Sequence, residues 1–101
     1  MGMEMAKLLG DAVSSMQRAT QKFPQPNYVC GKLGEEAGEV IRAFIHRAEG
    51  RGSTEELRSE TVQLIGLALR LYFDGDETIT ANAPDLSSPT KPNLMDQDND
   101  A

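Results

Sequence analysis

The chain has a single cysteine, Cys30, in 101 residues, so it can build neither an internal disulfide nor a cysteine-cluster zinc site. A reducing cytoplasm is the expected setting. No run approaches the roughly 18 consecutive apolar residues that a bilayer-spanning helix needs, and no membrane partner is expected. Met1 to Gly10 lack a basic region followed by an apolar stretch and a small-residue cleavage site, so no signal peptide is expected. A stripe of excess positive charge is also missing, which argues against nucleic acid as a partner. The length allows one domain at most, with a small core.

Negative charge is present in excess, and its location matters. The net charge is −6, yet residues 1–73 hold nine acidic and nine basic side chains, whereas residues 74–101 hold seven acidic side chains and one Lys. The excess belongs wholly to the C-terminal part. A helical domain is therefore expected over residues 1–76 and an acidic, proline-containing flexible tail over residues 77–101. Pro84, Pro89, Pro92 and the run Asp96-Gln97-Asp98-Asn99-Asp100 leave that tail too little apolar surface to offset its ordering entropy.

Three helices are predicted. Met5, Leu8, Leu9, Ala12, Val13, Met16 and Ala19 recur at steps of three and four over Glu4 to Lys22, and Phe23-Pro24-Gln25-Pro26 stops that helix. Asn27 is the expected N-cap of a second helix over about 28–48, ended by Gly50-Arg51-Gly52. Ser53 or Thr54 caps a third, within a capping-box-like Ser53-Thr54-Glu55-Glu56, that runs to Phe73 and the turn Asp74-Gly75-Asp76. Residues 77–83 have room for a short fourth helical turn. The third helix is apolar nearly all round from Val62 to Phe73, a pattern of burial on most sides. Two partner helices hardly cover it. The expected fold is therefore all-α, an antiparallel bundle of three main helices completed by dimerisation across a two-fold axis.

Two acidic clusters stand out, Glu35-Glu36-x-x-Glu39 and Glu60-x-x-Gln63. At 100° per residue the second helix places Leu33, Ala37, Val40, Ile41, Phe44 and Ala48 on one stripe. Glu36 lies at the edge of that stripe, and Glu36 and Glu39 form a second, narrow face with Lys32 and Ala43. Glu60 and Gln63 cluster similarly on the third helix. Gly34 and Gly38 cost a helix roughly 1 kcal/mol each relative to alanine, which suggests a close approach by a backbone or ligand. Oxygen ligands on two rigid helices suit Mg²⁺, which takes six oxygens and usually keeps several waters. The plainer alternative is a solvated acidic face. Against it, like charges one turn apart destabilise a helix unless something neutralises them. Cys30 and His46 lack the partners of a nucleophile or zinc site and are read as a small core residue and a surface residue. Tyr28 and Phe73 could stack on a nucleobase, with core packing the plainer use.

Lys32-Leu33-Gly34-Glu35-Glu36-Ala37-Gly38-Glu39-Val40, its spacer and Glu60-Thr61-Val62-Gln63 resemble the E-E-x-x-E and E-x-x-D halves of the MazG-like all-α nucleoside triphosphate pyrophosphohydrolases. The resemblance covers residues 4 to about 76. It implies Mg²⁺-dependent cleavage of a nucleoside or deoxynucleoside triphosphate to the monophosphate and pyrophosphate, by a homodimer or homotetramer. Carried over by position, Glu36, Glu39, Glu60 and Gln63 would hold the metal, Glu35 and Glu36 would serve catalysis, and Lys32, Arg42 and Arg58 would offset phosphate charge. Gln63 stands where the family has Asp, so the formal charge of the cage falls from four to three. That departure supports an alternative, a catalytically weak or silent helical dimer that binds a nucleotide or a protein partner.

Overall fold

The structure, a computed structural model, describes residues 2–82, with side chains described through Ile79. The elements among the described residues are all helices, in the order α1 (Met3–Lys22), α2 (Val29–Ala48), α3 (Thr54–Asp74) and α4 (Glu77–Asn82). None of these helices is long and apolar enough to cross a membrane. The expected tail overlaps α4 in residues 77–82, and the rest of it, 83–101, lies outside the described residues.

Local chemistry explains most helix ends. Ser53 Oγ accepts from the Glu56 amide at 3.0 Å and starts α3 as expected. At the end of α2, Gly50 adopts φ 77°, which glycine enters without steric cost. The Arg51 amide then reaches the His46 carbonyl at 2.7 Å and the Gly50 amide the Arg47 carbonyl at 3.0 Å, the bond pair of a Schellman stop.

The start of α2 departs from the sequence reading. Asn27 is not its cap. Tyr28 holds that position, at φ 52° and without a side-chain cap bond. Its free amides are met from the far end of the molecule: Asp76 Oδ2 accepts from the Cys30 amide at 2.9 Å and Thr78 Oγ1 from the Tyr28 amide at 3.1 Å. Gln25 completes this corner, donating to the Gly75 carbonyl at 2.7 Å and accepting from the Glu77 amide at 3.0 Å. Four N-terminal amides of any helix need partners, and here the α3–α4 junction supplies two of them.

Helix α3 is the element against which both α1 and α2 pack. On the α1 side the close approach is at Gly66, where an added Cβ would lie 3.1 Å from the Ala12 carbonyl oxygen; Ala12 itself is fully buried. Glu4 meets Arg58 near the start of α3, and Thr20 meets Asp74 at its end. On the α2 side the buried positions are Val29 and Ala43, seven residues on either side of Glu36 and so on one face with it. The expected apolar stripe of α2 is turned inward only in part: Leu33, Ala37 and Val40 are half-buried. Ile41 and Phe44 are 61% and 62% exposed. Gly34 and Gly38 meet nothing either, since an added Cβ at each would have open space within 4 Å. The fully buried hydrophobic core among the described residues is only Ala12, Val29 and Ala43.

Candidate functional site

Because α2 turns its Glu36 face inward, Glu36 and Glu60 meet across the α2–α3 seam. Glu36 is half-buried, and its Oε2 is a buried atom without a hydrogen-bond partner. Burial, first, then the adjoining Glu60 carboxyl and the charges of Glu39 and Glu35 push the Glu36 carboxyl up to about 7. Two carboxylates side by side repel when both are ionised, so Glu36 keeps its proton well above the ordinary carboxylate range. A cation between them would remove the need for it.

The other two positions of the expected cage are divided around this pair. Glu39 pairs with Arg42 one turn along α2 and, with Glu60, Glu56 and His46, lines a shallow depression of about 120 Å³. Gln63 is exposed and lines a different, larger cleft together with Glu36. Among the described residues no group of three or more His, Cys, Asp or Glu is gathered closely enough to hold a metal ion. The donor chemistry nonetheless fits Mg²⁺. The candidate donors are oxygens, one of them is orphaned, and Mg²⁺ is commonly bound through one or two carboxylates plus substrate phosphates and waters. Two adjoining carboxyls do not by themselves form a closed cage.

The expected phosphate-binding residues are scattered. Lys32 Nζ donates to Asn27 Oδ1 at 2.8 Å and stands 4.9 Å from the Phe23 ring centroid, at the cleft. Arg42 is occupied by Glu39. Arg58 turns to α1, where it lies 3.2 Å from Glu4 and 2.9 Å from Asp11, in a separate depression. Glu35 is exposed at the cleft rim.

The cleft has a volume of about 470 Å³ and lies over α3 between α1 and α2, within the range of small-ligand sites. Sequence reasoning missed the residues that give it positive charge, Arg18, Lys22 and Arg70. One signal was available: Arg70 interrupts an apolar run. It is 1% exposed, and its guanidinium donates to the Phe23 carbonyl and to Asn27 Oδ1.

The remaining candidates contribute little chemistry. Cys30 is half-buried, and desolvation together with Asp76 raises its thiol pKa, the opposite of an activated nucleophile. The Cys30 amide in turn holds the Asp76 carboxyl below its ordinary range. His46 is half-buried beside Glu39 and Glu60. Tyr28 and Phe73, 66% and 68% exposed, are not packed in the core. No family model, curated protein or solved structure matches this chain.

Proposed function

We propose that the chain is a Mg²⁺-dependent nucleotide pyrophosphohydrolase of the MazG-like kind, cleaving a nucleoside or deoxynucleoside triphosphate to monophosphate and pyrophosphate. The observation that carries this reading is the Glu36–Glu60 pair, with its orphaned buried oxygen, at the edge of a cleft lined with cations. Helix interiors rarely hold two unneutralised carboxylates together, because each raises the cost of ionising the other.

In this reading Glu36 and Glu60 would hold the ion, with Glu39 and the amide oxygen of Gln63 as the further oxygen donors. When bound, Mg²⁺ supplies charge neutralisation at the phosphates and polarises the phosphoryl group. Glu35, on the same rim, is placed to orient a water, and Lys32 offsets phosphate charge. A cation held there would favour the ionised form of Glu36. The contacts of α1 and α2 along α3 support an up-down-up, antiparallel course. Ile41 and Phe44 on the outer face of α2 support a homodimer, with a homotetramer as the larger form. A reducing cytoplasm suits the lone Cys30.

Incubating the full chain with a panel of nucleoside triphosphates and Mg²⁺, and separating the products, tests the reading. Pyrophosphate and monophosphate are expected, with Glu60→Gln reducing turnover at least about a hundredfold, the loss typical when one group that stabilises the transition state is removed. No turnover of any triphosphate by folded protein sinks the catalytic claim. A second reading, nucleotide binding without hydrolysis, is favoured by one observation: Glu39 is already paired with Arg42, and among the described residues no third carboxylate closes on the pair.

A further inference from the structure

We propose that the end of the cleft formed by Lys22, Lys32 and Arg70 is a binding subsite for a di- or triphosphate group, with Arg70 as its buried anchor. The proposal deepens the reading of the same cleft as a nucleotide site, and it holds whether or not the bound phosphate is hydrolysed.

Three cations converge on one short segment. Lys22 Nζ lies 5.7 Å and Lys32 Nζ 4.9 Å from the centroid of the Phe23 ring, and Arg70 donates to the carbonyl of the same residue. Lys32 and Arg70 also share a single acceptor, Asn27 Oδ1, at 2.8 and 3.3 Å. Like charges held this close repel, more so where water is scarce. Yet the ion pairs among the described residues go to Arg42, Arg51 and Arg58, and none reaches this group. The backbone carbonyl, the amide oxygen and the aromatic ring that face the three cations carry no formal negative charge.

Arg70 sharpens the argument. A guanidinium that is 1% exposed ordinarily faces a carboxylate, because removing one partner of a buried pair is strongly destabilising. Here two neutral oxygens take its terminal nitrogens, and Nε is buried without a partner. The residue nevertheless lines an open cleft. A planar fork that is desolvated in advance, aided by two flexible ammonium groups, is well suited to phosphate oxygens. Lys32 lies one helical turn from Glu35 and Glu36, so a polyphosphate chain can lie among the cations at one end and approach the carboxylate pair at the other.

The test is isothermal titration of the full chain with sodium tripolyphosphate in EDTA, which separates anion binding from metal and from turnover. Saturable binding that weakens steeply with salt is expected. Lys22→Ala, at an exposed position, should weaken it about tenfold, the worth of one charge-assisted hydrogen bond. Arg70→Met, which keeps the volume and removes the charge, should weaken it at least as much, whereas Lys7→Ala, far along α1, should leave it unchanged. The proposal is overturned by no binding at millimolar tripolyphosphate. It is equally overturned if Lys22→Ala binds like the parent, or if a folded Arg70→Met does so. Should Arg70→Met fail to fold, the Lys22→Ala and Lys7→Ala comparison decides alone. Tripolyphosphate binding without hydrolysis of any triphosphate would end the catalytic reading and leave this subsite standing.

Discussion

Replacing Glu36 with glutamine should make the metal-free protein more stable above neutral pH, and the structure sets the size of the effect. The fold lifts the Glu36 carboxyl from 4.5 to about 7, so the folded chain binds a proton that the unfolded chain has already released. Stability is then fully present below the unfolded value. It declines as pH rises toward 7, and the whole penalty remains above that. A tenfold change in proton affinity is worth about 1.4 kcal/mol. Partial solvent access at the seam screens the repulsion, which brings the expected penalty to about 1–2 kcal/mol at pH 8.

Glutamine has nearly the same shape, cannot ionise and can donate its amide to Glu60. Urea denaturation in EDTA at fixed protein concentration should therefore show coincident midpoints for the parent and Glu36→Gln at pH 4. At pH 8 the variant's midpoint should lie about 1 M higher, since a chain of this size loses roughly 1–1.5 kcal/mol per molar urea. Comparing parent with variant at each pH cancels the titration of other groups. Saturating Mg²⁺ should close the gap by stabilising only the parent. A variant no more stable than the parent at pH 8 would refute the placement of two carboxylates in contact at this seam.

Gln63→Asp adds a fourth negative charge beside Glu36 and should tighten Mg²⁺ binding at least about fivefold by calorimetry; unchanged affinity would mean that position 63 is not part of the site. Gly66→Ala places a Cβ 3.1 Å from a backbone oxygen of α1, so helix separation should outweigh the gain in helix propensity and cost about 1 kcal/mol net in urea unfolding; a stabilised Gly66→Ala protein would contradict the close α1–α3 approach. Asp76→Ala removes the acceptor of the Cys30 and Thr78 amides and should lower the Tm by roughly 5 °C at pH 7. Its carboxyl is held below the ordinary range, so this contribution is present above the unfolded carboxyl value and fades as pH falls through the lower folded one, and parent and variant should converge in strong acid. If the outer face of α2 pairs copies as proposed, Phe44→Asp should shift the sedimentation profile toward monomer at micromolar concentration, because about 2 kcal/mol of apolar burial would be lost from each copy; an unchanged profile would exclude the outer face of α2 from any interface.

Much of the backbone was legible because its signals are local. Two prolines within Phe23-Pro24-Gln25-Pro26 can only break a helix, Gly50 can take the positive φ of a stop, and Ser53 reaches an amide three residues away. The start of α2 was not legible by the same means. Its acceptor, Asp76, lies 46 residues downstream of Cys30, and no local pattern distinguishes a cap supplied at that range from the nearer Asn27. Arg70 was hidden for a related reason. Its charge reads as a flaw in an apolar run until the ends of α1 and α2 are seen to close over it.

The least legible feature was the choice of face on α2. Periodicity identifies a stripe of large apolar side chains, but it does not say which surface that stripe must meet. Within one chain α3 takes the face on which Val29 and Ala43 are buried. That choice forces Glu36 into the seam opposite Glu60 and leaves Ile41 and Phe44 outside. Both consequences are unfavourable for an isolated, metal-free chain: one leaves a buried oxygen orphaned, the other leaves large side chains in water. Under the proposed function each would be relieved by a different ligand, a cation at the seam and a second copy at the outer face. The acidic motif and the apolar stripe, which occupy the same helix, are thus two sides of one packing decision. A substitution that reversed it by enlarging the inner face, such as Ala43→Leu, should weaken cation binding and the association of copies together.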